Sequence, residues 1–175
     1  MPTIVSHAAV PLALAVGLGT KRIPKLLLLT GIAASMLPDV DVILFRFGAT
    51  YDQVWSHRGF THSIVFALAV ALAAALVLRR VAPPVVVFAF MFVAAASHGL
   101  LDMLTNGGHG VALLWPLTDR RFFFDWRPIR VAPLALSRFP PRAAAIVATE
   151  ALWIWVPAIL VASILRALRH EGVRT

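Results

Sequence analysis

Apolar residues along this chain fall into five runs, at 4–19, 26–37, 63–78, 85–104 and 143–168, separated by short polar, basic or proline- and glycine-containing breaks. Inside the runs Ala, Leu and Val dominate, and no apolar–polar alternation of the kind a lipid-facing strand needs is visible, so each run predicts a helix. The last two runs reach the roughly 20 residues that cross a bilayer's hydrocarbon core. The first and third are marginal. The second, about 12 residues at about 1.5 Å each, covers only about 18 Å. It is either a half-membrane helix or it continues through 42–47. Pro83-Pro84 opens the fourth run, where proline is tolerated in a first turn, and Thr105-Asn106-Gly107-Gly108 ends it with a strong stop signal.

Composition turns these helices into a membrane protein. The chain has 175 residues, of which 60% are hydrophobic and 14% charged. A soluble domain of this size cannot hide that much apolar surface, and in lipid a helix satisfies its own backbone groups. The expectation is an all-α fold: one domain over residues 1–175, an integral membrane bundle of four to five membrane-embedded helices plus an interfacial segment. That segment is 115–142, where Trp115, Phe122, Phe123, Phe124, Trp126 and Phe139 interleave with Arg120, Arg121, Arg127, Arg130, Arg138 and Arg142. Rings and snorkelling arginines both favour the headgroup layer. The net charge of +8 then reads as contact with anionic lipid rather than with nucleic acid. The absence of cysteine excludes disulfides and thiolate metal sites. The N-terminus, lacking a basic n-region, is expected to belong to the mature chain.

Few polar residues interrupt this pattern, and ionisable groups at membrane depth mark function by default. If the runs zigzag, His7, Asp39, Asp41, His57, His62, His98, Asp102 and His109 all fall on one side, and the other side carries only bases. His98 and Asp102 are four apart on one helical face and can chelate one ion. Imidazole with carboxylate suits zinc and related divalent metals, manganese included. Either Asp39 or Asp41, and either His57 or His62, can complete such a set. His109 is either a ligand or a solvated loop residue. Arg58 is either a grip for phosphate, which its guanidinium fork matches, or a headgroup anchor. Glu150 needs a partner, either the metal site or an arginine such as Arg142 or Arg58. In 57–63 two histidines bracket a glycine turn, and Thr61 or Ser63 can cap the next helix.

Ser6-His7, Pro38-Asp39-Val40-Asp41, His57-Arg58-Gly59-Phe60-Thr61-His62-Ser63 and Ser97-His98-Gly99-Leu100-Leu101-Asp102 with Thr105 resemble the LexA-binding, inner-membrane-associated metal-dependent hydrolases. The resemblance covers about residues 1–110. That family is distantly similar to the all-helical zinc-dependent phospholipase C and single-strand nuclease superfamily. Its ligand order (an early His, then Asp, His, His-x-x-x-Asp and a further His) is matched here by His7, Asp39 or Asp41, His57 or His62, His98 with Asp102, and His109. The superfamily's last helix supplies a His four residues before an acid, whereas here Ile146 precedes Glu150, so one or two metals are expected rather than three.

The resemblance implies hydrolysis of a phosphoester by metal-activated water, in a bacterial inner membrane. Two ions about 3.5–4 Å apart would be bridged by Asp102. Asp39 or Asp41 would act as ligand or general base, and Arg58 would neutralise developing charge. A lipid or lipid-linked headgroup is the natural substrate at the membrane surface. Two non-enzymatic readings compete: a metal or proton transporter, and a membrane anchor for a soluble regulatory protein. Lys and Arg balance across the membrane. Arg46, Arg58, Arg120, Arg121, Arg127, Arg130, Arg138 and Arg142 stand against Lys21, Arg22, Lys25, Arg79, Arg80, Arg166, Arg169 and Arg174. The positive-inside rule is therefore silent. Assigning Arg58 and interfacial arginines to substrate tips the expectation toward an extracytoplasmic site.

Overall fold

The computed structural model describes residues 1–51, 53–133 and 142–171. These contain helices and no strand; the nearest to sheet are two isolated bridges, Thr105 with Ile129 and Val111 with Phe122. A 3-10 turn, Ile4–Ala8, leads into α1 (Ala9–Leu18), which ends at Gly19 with a positive φ of 81°. α2 (Lys25–Met36) does not stop after half a membrane. It tightens into a 3-10 stretch, Leu37–Phe47, at the point where Pro38 lacks the N–H that an α-helical turn would use. Together they form a 23-residue span, Lys25–Phe47. α3 (Ile64–Val77) is capped by Ser63, whose Oγ accepts from the Phe66 N–H at 3.1 Å.

α4 (Pro84–Met103) is 20 residues, long enough to cross the hydrocarbon core. The last span begins with α5 (Ala143–Glu150), widens to a π-turn over Ala151–Trp155, and continues as α6 (Val156–Glu171). The widening lies just before Pro157, whose missing N–H cannot bond the carbonyl of Trp153. Three helical stretches, Lys25–Phe47, Pro84–Met103 and Ala143–Glu171, are long and apolar enough to span a membrane; Ile4–Leu18 and Ile64–Val77 are shorter.

Leu27, Ala71, Val87, Phe90 and Met91 form one core between α2, α3 and α4. Ala9, Leu101, Ile129 and Ile154 form a second, joining α1 and α4 to the last span and to the segment after α4. Leu72, Leu76, Val77, Val85, Ile159, Leu160 and Ile164 stay exposed, as lipid-facing side chains do. α1 lies along α6. Contact there is close because residue 17 is glycine: a Cβ on it would stand 2.6 Å from the Leu165 Cβ.

The described part of the interfacial segment, residues 115–133 and 142, is irregular chain folded over the site end of the bundle. Arg127 stacks over the Phe123 ring at 4.9 Å, and Trp126 meets Trp153 edge-to-face. Arg138 and Phe139 lie outside the described residues. Gly17→Leu should force α1 from α6 and destabilise the protein by about 1–3 kcal/mol, the usual result of overpacking. The check is a lowered thermal midpoint in detergent, with wild-type stability as the contrary result.

Candidate metal centre

Four local features bring the polar residues together. The 3-10 stretch after Pro38 carries Asp39 and Asp41, both buried. The turn before α1 carries His7, and α4 carries His98 and Asp102 one helical turn apart. The loop between α2 and α3 carries His57 and His62.

That loop is held by two glycines. A Cβ on Gly59 would collide with the Val54 carbonyl oxygen at 1.8 Å, and one on Gly99 would stand 2.7 Å from the His62 carbonyl oxygen. Only a bare α carbon lets α4 and the loop approach this closely. Arg58 precedes Gly59 with φ 65°, a left-handed conformation costing a non-glycine residue about 1–2 kcal/mol. Its side-chain bonds offset that cost. Nε sits 2.9 Å from Asp102 Oδ2, Nη1 donates to the carbonyls of Gly107 and His109, and Nη2 donates to Thr105 Oγ1.

The centre itself consists of acceptors facing acceptors. His98 Nδ1 lies 2.7 Å from the Ser35 carbonyl oxygen, which can only accept, so a ring proton belongs on Nδ1 and, in the neutral ring, Nε2 carries a lone pair. His62 Nδ1 faces Thr61 Oγ1 at 3.0 Å and Asp41 Oδ2 at 3.3 Å, which leaves its Nε2 bare in the same way. Burial pushes the His62 imidazole down to about 4, against partial opposition from Asp41, so it is neutral at physiological pH. The two bare Nε2 atoms stand 3.0 Å apart.

Around them, His98 Nε2 is 3.4 Å from Asp39 Oδ1, and His62 Nε2 is 3.6 Å from Asp102 Oδ2 and 3.9 Å from Asp39 Oδ1. His7 stacks on His98 with ring centroids 3.7 Å apart. Its Nε2 lies 3.8 Å from Asp102 Oδ1 and 3.9 Å from Asp39 Oδ2. Neither nitrogen of His7 and neither oxygen of Asp39 has an aligned hydrogen-bond partner, and Asp102 is met only by the Arg58 guanidinium at Oδ2, although all are buried.

Buried acceptors normally find donors. Orphans clustered like this fit a cation. Ligands about 2.0–2.2 Å from a tetrahedral ion sit roughly 3.3–3.6 Å from one another, close to the separations above. Three overlapping sets have the reach: His7, Asp39 and His98; Asp39, His57 and His62; and His62, His98 and Asp102. Charge points the same way. Three carboxylates (Asp39, Asp41, Asp102) surround one guanidinium, leaving two negative charges that one dication would neutralise.

The two aspartates differ in surroundings. Asp39 has no hydrogen-bond partner, whereas Asp41 Oδ1 takes His57 Nδ1 at 2.8 Å and its Oδ2 takes Thr61 Oγ1 at 2.7 Å. Asp41 therefore orients the two loop histidines, the role outer carboxylates play at metal sites.

Three residues stand differently from expectation. His109 is exposed, its ring stacks on Tyr51 at 4.5 Å, and it belongs to none of the three ligand sets; it serves the centre through its carbonyl, which receives Arg58. Arg58 is 1% exposed and its donors are engaged by Asp102 and the 105–109 turn, so it holds Asp102 in place. Among the described residues, Glu150 is bound neither to the centre nor to an arginine. Its carboxylate accepts from the Thr3 N–H, Thr3 Oγ1 and Ser6 Oγ, each at 2.6 Å, and Trp155 Nε1 also donates to Ser6. Neutral donors satisfy it without burying a second charge, and the clamp fixes the turn that carries His7. The Ser35 carbonyl has no signature in sequence, because a backbone atom does its work.

A cavity of about 180 Å³ opens beside this centre, lined by Tyr51, His57, Arg58, Gly108, His109 and Arg142, among others. Arg121 ties down its rim by donating to the carbonyls of Gln53 and His57.

Fold and site together define a helical membrane protein with a buried histidine–carboxylate centre at one end of its bundle. The chain belongs to the YdjM inner membrane protein family, whose pattern matches residues 1–171. It is 48% identical over 168 residues to the inner membrane protein YbcI of Escherichia coli (strain K12), covering 94% of this chain and 97% of that protein. No solved structure matches it.

Gly99→Val should push the His62 carbonyl off α4 and weaken metal binding by about 10–100-fold, the usual cost of disturbing a ligand's support. Titration with cobalt or zinc, alongside a circular dichroism spectrum to establish retained helix, reads the effect. Unchanged affinity would separate His62 from the metal.

Proposed function

We propose that the protein is a membrane-bound, metal-dependent hydrolase of phosphoesters, acting on a lipid or lipid-linked headgroup. The observation that carries this reading is the pair of Nε2 atoms 3.0 Å apart beside two buried carboxylates, Asp39 with no hydrogen-bond partner and Asp102 with Arg58 alone. His62, His98, Asp39 and Asp102 would hold the ion, with His7, which shares a set with Asp39 and His98, as a further ligand. Nitrogen and oxygen donors without sulfur suit zinc, with manganese next. One or two ions fit the overlapping sets. A divalent cation there would supply Lewis acidity, polarising a phosphoester oxygen and lowering the pKa of water toward about 7.

The chain's own groups do the rest. Arg58 holds Asp102 at 2.9 Å and so fixes its oxygens toward His62 and His7. His57 belongs both to the cluster and to the cavity wall. With Nδ1 on Asp41 it is oriented to exchange a proton with whatever occupies the cavity. Arg142 lines the same cavity and offers a charge to a phosphate. The ligands collect at helix ends instead of along a path through the bilayer, which favours hydrolysis over transport. An anchor for a soluble regulator would not require buried ligands at all.

Purified protein should carry close to stoichiometric zinc or manganese, and chelation should abolish hydrolysis of a phosphodiester. Asp102→Asn should remove turnover while leaving the helices inserted; near-normal turnover, or protein that is active after complete metal removal, would contradict the reading. Arg120 and Arg121 should separate. Arg120→Ala, at an exposed interfacial position, should lower turnover of phospholipid in anionic liposomes severalfold and spare a small nitrophenyl phosphoester. Arg121→Ala should lower both, because it releases the loop that carries His57. Equal effects from the two changes would mean the segment does not present lipid.

A further inference from the structure

The opposite end of the bundle holds a second cavity, of about 760 Å³, where the turn between α1 and α2 meets the end of α6. Its walls are basic on both sides: Lys21 and Lys25 from the turn and the start of α2, and Arg166, Arg169 and His170 from α6. Among the described residues no carboxylate lines it. Among the described residues, none of these lysines and arginines stands within ion-pair distance of an acid. Four like charges gathered round a hollow repel one another, and counter-charge placed in it would relieve that repulsion. Its floor is apolar, formed by Ala15, Val16, Leu18, Ile23 and Leu28.

Two glycines build the hollow. Gly17 lets α1 lie close to α6, and Gly19 leaves room for Arg169: a Cβ there would meet the guanidinium Nη1 at 1.8 Å. The arginine is thus laid over the end of α1, where helix carbonyls favour a cation, and its fork borders the cavity.

The geometry points to a binding site for an anionic phospholipid, its phosphate held between Lys21 and Lys25 on one side and Arg166 and Arg169 on the other. The apolar floor continues into the lipid-facing surface at Val16, Leu26 and Leu29, which are exposed. A basic rim over an apolar floor at a membrane surface matches an amphiphile better than a free anion. The site is independent of the metal centre and does not rest on hydrolysis.

The experiment is native mass spectrometry of the whole protein in detergent at fixed ionic strength, titrated with phosphatidylglycerol or with phosphatidylcholine. Phosphatidylglycerol should bind at least about tenfold more tightly, since each basic residue contributes about fivefold to attraction of anionic lipid. Arg166→Gln with Arg169→Gln should erase that preference. So should Lys21→Gln with Lys25→Gln, which tests the other wall if the α6 variant folds poorly. Arg79→Gln with Arg80→Gln, in the basic turn between α3 and α4 and outside the cavity, should leave the preference intact. Equal binding of the two lipids overturns the site. So does an equal loss in the Arg79/Arg80 variant, which would mean a diffuse field. Displacement of the lipid by millimolar inorganic phosphate would make it a free-anion site and overturn the lipid assignment.

Discussion

Two imidazole nitrogens, each of which presents a lone pair in its neutral ring because the other nitrogen is engaged, face each other across 3.0 Å in the interior of this protein. Lone pairs at that distance repel, and the buried oxygens of Asp39 and Asp102 beside them add negative charge without adding a donor. Burying such a set unaided costs several kcal/mol per charge. Much of the rest of the structure either brings these acceptors together or compensates for them. Ser35 and Asp41 fix the tautomers, Arg58 removes one unit of charge, and Gly59 and Gly99 permit the close approach of loop and helix. Glu150 fixes the turn that carries His7, using only neutral donors.

The constraint also explains local departures from regular structure. The α2 span becomes a 3-10 stretch where it must turn Asp39 and Asp41 inward. Arg58 occupies a left-handed conformation because its side chain must reach both Asp102 and the 105–109 turn. Strain of this kind persists where surrounding contacts over-determine it, and it collects at functional sites. By contrast the lipid-facing helices are plain and rich in Ala, Leu and Val. Thr30 returns its hydroxyl to the carbonyls of Leu26 and Leu27.

Much of this was legible in sequence. Five apolar runs announced the helices, and the zigzag placed the histidines and aspartates at one end. The second run's fate was open in sequence, because Pro38 reads equally as a stop and as a change of helix type. His109 could not be distinguished from a ligand by pattern, since the feature that sets it apart is a ring stack on Tyr51. Glu150 looked like a partner for a metal or an arginine; residues 144 and 147 positions away in sequence, Ser6 and Thr3, take it instead. Nothing in one sequence reports a contact of that range. The glycines of the two motifs were visible, but the reason for them, a backbone carbonyl within 3 Å of the missing Cβ, belongs to three dimensions.

The most direct test of the central claim is X-ray absorption at the zinc edge on the purified, zinc-loaded protein in detergent. The account predicts a first shell of nitrogen and oxygen only, at about 2.0–2.2 Å, with the outer-shell scattering that imidazole rings produce. It also predicts that His98→Ala removes part of that imidazole signal. A shell of water oxygens without imidazole scattering, or a spectrum unchanged in His98→Ala, would mean that the cluster holds no ion and would contradict the account.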